Sequence, residues 1–105
     1  MNVPIIKLKI QGFEINSIFD TGAMHTVLNS NYSQYLFDRN EIIEDYNPLL
    51  GKFIANLYEG DIIIGNILIA NSIIACSTKY DLAMQMLSGI GVKSILGISE
   101  NSHEN

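Results

Sequence analysis

An apolar strand that runs straight into an ionisable carboxylate constrains this chain more than any other feature. Ile18-Phe19 ends such a run, Asp20-Thr21-Gly22-Ala23 follows, and Thr26-Val27-Leu28 leads out into a second apolar strand. A carboxylate at the end of a buried segment is costly unless hydrogen bonds or a charge compensate it. Thr21 offers a hydroxyl and Gly22 a permissive backbone, two ingredients of a tight turn around that carboxylate. Asp, Thr and Gly are also ordinary turn residues, so the tripeptide takes its meaning from its setting.

That setting is a chain of short strands. Ile6, Leu8 and Ile10 alternate with Lys7 and Lys9, Gln11-Gly12 turns, and Phe13 and Ile15 alternate with Glu14 and Asn16. This is a half-buried hairpin with its charges in water. Alternation stops at Ser17-Ile18-Phe19, where the strand becomes buried on both faces. Asn29 to Phe37 carries cap residues and then Tyr and Leu, which predicts one or two helical turns. Tyr32 and Tyr35 share a helix face there and are expected to pack. Asn47-Pro48-Leu49-Leu50-Gly51 is a turn tip, with strand character on either side at Ile42-Ile43 and Phe53-Ile54. The segment Asp38 to Tyr46, which contains the first of these pairs, is acidic and without a clear period; its Glu41, Glu44 and Asp45 are read as an exposed acidic loop. A second hairpin runs from Leu57 to Ile64, turns at Gly65-Asn66 and returns from Ile67 to Cys76. Asp81 is positioned to cap a short helix that ends at Ser88-Gly89, and Val92 to Leu96 is a last apolar strand running into Gly97. The expected fold is mostly β: a closed barrel of six to seven strands with one or two short helices.

With 105 residues the chain forms one small domain. Residues 1–98 are assigned to it, and 99–105 to a polar C-terminal tail. Hydrophobic residues make up 48% of the sequence, which excludes a disordered chain. Eighteen residues are isoleucine, which favours strands. The net charge is −5 and the six basic residues are scattered, so no nucleic-acid partner is expected. No apolar run approaches the roughly 18 residues of a membrane span, so no membrane is expected either. The single Cys76 reads as a small buried hydrophobe, and the absence of a signal-peptide pattern leads to a cytoplasmic expectation. His25 and His103 lack metal-ligand spacing, so neither a metal nor a cofactor is expected. Gly89-Ile90-Gly91 lacks the further glycine of a phosphate loop.

A second strand-to-glycine junction, Ile95-Leu96-Gly97, lies near the end of the chain. Together these segments resemble the retropepsin-like aspartic protease family, whose best known members are the retroviral proteases. The similarity covers about residues 3 to 98. Ile6 to Gly12, then Asp20-Thr21-Gly22-Ala23 and Thr26-Val27-Leu28, is similar to that family's opening hairpin and active-site loop. Gly51-Lys52-Phe53-Ile54 looks like a flap tip and its descending strand, Ile62-Ile63-Ile64 like the next long strand, and Ile95-Leu96-Gly97 like the hydrophobic-hydrophobic-glycine motif.

The resemblance implies an acid-protease lobe and an aspartic endopeptidase acting on extended polypeptide substrates. Two carboxylates a few ångström apart share one proton because both cannot ionise, so one serves as base and the other as acid. One chain supplies one such loop, so the implied enzyme is a homodimer with Asp20 of each chain on the symmetry axis. Thr21, Gly22 and Ala23 would complete the active-site loop, and Leu28, Leu49, Leu50, Gly51, Phe53 and Ile95 would line the substrate cleft. Pepsin-like relatives usually carry Ser or Thr where Ala23 stands. Without that hydroxyl donor, the active pH range is expected above that of acid pepsins.

The pattern departs in three places. Met24-His25 occupies positions that are small or acidic in retroviral relatives; His25 is read as a surface or locally hydrogen-bonded histidine, with a place beside the cleft as the alternative. Ile98 stands where retroviral enzymes carry an arginine that braces the dimer. The polar stretch from Ser99 replaces the usual closing helix and strand, so the chain is expected to be truncated or its dimer built differently. The rival expectation is a β module of the same fold, or an incomplete lobe, that binds peptides without cutting them.

Overall fold

The computed structural model of the chain describes residues 4–20, 22–23, 25–47, 49–77 and 82–97. Seven strands form one sheet among the described residues: β1 (Ile5–Ile10), β2 (Phe13–Asp20), β3 (Thr26–Leu28), β4 (Phe37–Asn47), β5 (Gly51–Ile64), β6 (Ile67–Ser77) and β7 (Val92–Gly97). Their order is β1-β2-β7-β3-β6-β5-β4, and β1 also pairs with β5. That pairing, Lys9 with Ile63 and Ile10 with Ile62, closes a six-stranded barrel and leaves β4 outside it on β5. Closure removes the sheet edges that the β1 and β5 backbones would otherwise expose. A 3-10 helix covers Ser30–Tyr35, and α1 covers Leu82–Gly89.

The opening hairpin follows its alternation. β1 and β2 pair from Ile5–Ile18 to Ile10–Phe13, with Leu8, Ile10 and Ile15 inside and Lys7, Lys9 and Glu14 outside. Alternation then fails for a physical reason. The end of β2, all of β3 and the end of β7 lie between two apolar clusters, so adjacent residues are buried on opposite faces. Val27 and Ile95 enter one cluster, while their neighbours Leu28 and Leu96 enter the other.

Topology at this seam is non-local. β7 lies between β2 and β3, parallel to the first and antiparallel to the second. The connection from β2 to β3 therefore passes across the end of β7. Gly97 shows how close that passage is. A Cβ there would stand 2.7 Å from the Ala23 carbonyl oxygen and 2.8 Å from that of His25, so only glycine fits.

Two sequence expectations change. Glu41, Glu44 and Asp45 are not in an exposed acidic loop: together with Ile42-Ile43, whose strand character is confirmed, they belong to β4, paired with β5 from Phe37–Glu59 to Asn47–Gly51. Their period was hidden because Asp45, an acid, takes an inward-facing place that an apolar residue would ordinarily fill. Phe53-Ile54 and Leu57–Ile64 are not separate strands but one 14-residue β5. The base of this long hairpin is tied by Arg39, which donates to Glu59 at 2.7 Å and to Glu41 at 3.1 Å. Its hydrogen bond and charge contact with Glu41, and then Glu59, raise the guanidinium pKa further.

The remaining elements fall close to expectation. Gly65-Asn66 turns β5 into β6, with Gly65 at φ 63°. The 3-10 helix is capped by Asn29, whose side-chain oxygen accepts the Asn31 N–H at 2.9 Å. Tyr32 and Tyr35 both pack on Phe13, at ring-centroid separations of 6.1 and 4.3 Å. Cys76 is buried. Asp81, Ile98 and the 99–105 tail lie outside the described residues. No described helix is long and apolar enough to cross a membrane.

Candidate active site

Asp20 is the last residue of β2, half-buried, and sits opposite Gly97 in the parallel β2–β7 register. The turn that follows is built on its carboxylate. Gly22 donates its N–H to Asp20 Oδ1 at 2.9 Å, and Ala23 donates its N–H to the Asp20 carbonyl oxygen at 3.2 Å. A charged acceptor makes the first of these the stronger bond. Gly22 is exposed, whereas Ala23 is fully buried. Thr21 lies outside the described residues.

The loop is fixed at its far side as well. Thr26, buried at the start of β3, accepts the Gly97 N–H on its hydroxyl at 3.2 Å. The Asp20 turn is thus seated on Gly97 and joined to it by a side-chain bond from the exit strand. Asp20 is consequently held by backbone on two sides while remaining half-open.

Above this loop lies the β4–β5 hairpin. Leu49, Leu50 and Phe53 are half-buried and pack against the cluster formed by Ile18, Ala23, Val27, Met84, Val92 and Ile95. Gly51, at φ 76°, provides the left-handed residue that turns the tip into β5. The structure therefore brings Ala23, Leu49, Leu50, Phe53 and Ile95 together. Leu28 is not with them; it is 1% exposed in the other cluster, among Leu8, Ile10, Ile15 and Leu96.

One pair was missed by sequence reasoning. His25 Nδ1 lies 2.9 Å from Asp45 Oδ2, and the Asp45 side chain is only 5% exposed. His25 is thus bonded to a residue twenty positions away, rather than locally. No sequence pattern joins them; the signal available was an acid at an inward position of a strand. Among the described residues, no group of three or more His, Cys, Asp or Glu side chains converges to hold a metal.

No protein-family model matches the chain, and no curated protein is significantly similar to it. Fold and site together describe a closed β-barrel with a carboxylate-bearing loop at a strand seam and an apolar hairpin laid over it.

Proposed function

We propose that this chain is a retropepsin-like aspartic endopeptidase that works as a homodimer, with one Asp20 from each subunit forming the dyad. The observation that carries the proposal is the seating of the Asp20 turn. Its carboxylate accepts the Gly22 N–H, and the loop crosses directly over Gly97, on a strand that runs between the loop's own entry and exit strands. Such a turn holds a carboxylate still without burying it, as a shared-proton pair requires.

In the proposed reaction one carboxylate takes a proton from a water molecule, and the water oxygen attacks the scissile carbonyl carbon. The other carboxylic acid gives its proton to the carbonyl oxygen. Collapse of the tetrahedral intermediate breaks the C–N bond, with a proton passing to the departing nitrogen. Leu49, Leu50, Gly51 and Phe53 belong to the flap that closes on the substrate and excludes water. Ile95 supports that wall from β7. An extended substrate would place alternate side chains against Leu49, Leu50 and Phe53, with Ile95 fully buried beneath them. Leu28, turned into the barrel interior, has no part in this reading.

The test is cleavage of an unfolded protein between pH 3 and 8, beside Asp20→Asn. Cleavage by the parent that is lost in the variant supports the proposal. A folded parent that cuts nothing at any pH turns the reading toward a peptide-binding module.

A further inference from the structure

A part-buried polar contact, His25 with Asp45, joins the Asp20 loop to the overlying hairpin. Both oxygens of the Asp45 carboxylate are engaged: Oδ1 accepts the Tyr46 N–H at 2.8 Å and Oδ2 meets His25 Nδ1 at 2.9 Å. Opposite Asp45 on β5 stands Phe53, an apolar neighbour. The charged neighbours Glu44 and Lys52 alternate onto the outer face of the hairpin and are exposed. Asp45 is thus buried on the inward face of the hairpin, beside Phe53.

The two sides of this contact are unequal. The His25 side is anchored, because its carbonyl oxygen lies against Gly97, at 2.8 Å from the place a Cβ would take. The Asp45 side belongs to a hairpin whose tip residues are only half-buried. Apolar contacts beneath the tip are non-directional and tolerate sliding. A hydrogen-bonded pair fixes one position. Lifting the hairpin must separate the pair and leave the Asp45 carboxylate short of a partner.

We infer that His25 and Asp45 are a positioning pair, a clasp that fixes the β4–β5 hairpin in place over the Asp20 loop and sets how readily it lifts. This rests on reading the hairpin as the flap of the proposed protease, but its test does not need activity. Amide hydrogen exchange is followed in the parent, in His25→Asn, in Asp45→Asn and in the double variant. The clasp predicts that amides of residues 46, 47 and 49–54 exchange about fivefold faster in either single variant, with β1 and β2 unchanged. The double variant should exchange no faster than the singles. Exchanging the two residues (His25→Asp with Asp45→His) should restore most of the protection.

Unchanged hairpin exchange in both single variants overturns the inference. So does a uniform acceleration of barrel and hairpin, which would mark Asp45 as a general stability residue. Should Asp45→Asn fail to fold, His25→Asn alone decides, since its imidazole is one-fifth exposed and His25 lies outside the strands. A responsive hairpin in a chain that cleaves nothing would leave the clasp standing and the protease reading fallen.

Discussion

The two apolar clusters of this molecule are closed in different ways. The first gathers Leu8, Ile10, Ile15, Leu28, Ile62, Ile74, Cys76 and Leu96, drawn from six strands that surround it as a barrel. The second gathers Ile18, Ala23, Val27, Met84, Val92 and Ile95, and its outer side is covered by Leu49, Leu50, Phe53 and Leu87, all only half-buried. One core is enclosed by a hydrogen-bonded ring; the other is covered by a hairpin and a short helix. The difference assigns stability mainly to the first and movement to the second. Asp20 stands at the seam, on a strand shared by both.

The comparison breaks most readily in the barrel. Ile74 is fully buried there, and Ile74→Ala should cost about 3–4 kcal/mol in urea unfolding. At the seam, Gly97→Ala should cost about 2–3 kcal/mol, because its Cβ meets backbone carbonyls that cannot swing aside. If that variant keeps the stability of the parent, the loop is not seated on β7 as described. In the covered cluster, Leu50→Ala should cost only about 1 kcal/mol, its side chain being half-exposed already; if the proposed protease reading holds, cleavage should fall more than stability does.

Cys76 sharpens the contrast through pH. Burial pushes its thiol up from 9.0 to about 12. The folded state therefore keeps a proton that the unfolded chain releases above pH 9, so unfolding gains with rising pH. Stability should fall between pH 9 and 12 more steeply in the parent than in Cys76→Ala, as measured by the difference in melting temperature. Cys76 should also resist thiol reagents until the barrel opens. The smallest effect is expected at Ser94. Its buried hydroxyl has no hydrogen-bond partner among the described residues, so Ser94→Ala should change stability by less than about 0.5 kcal/mol or improve it.

Much of the barrel was legible in the chain. The hairpins turn at Gln11-Gly12 and Gly65-Asn66 because alternation and turn chemistry act over a few residues, and both are local. The break in alternation at Ser17-Ile18-Phe19 showed locally where β2 becomes buried on both faces, and the apolar runs of β3 and β7 were read as strands without their two-faced burial. Of β4 only Ile42-Ile43 was legible, since an inward aspartate reads as a surface acid unless its partner is known. That partner, His25, is supplied only by folding, as is the insertion of β7 between β2 and β3. Leu28 shows the same limit: its strand is buried on both faces, so parity alone does not say which cluster its side chain enters.

The central claim is that two Asp20 carboxylates from two chains form one site. The most direct measurement is a subunit-mixing experiment: cleavage by a fixed amount of parent as folded Asp20→Asn protein is added in excess. If the site is shared, mixed dimers carry half a dyad and activity should fall toward zero as the variant comes to dominate. Activity that stays constant through a demonstrated exchange of subunits would contradict the account, as would cleavage by Asp20→Asn alone.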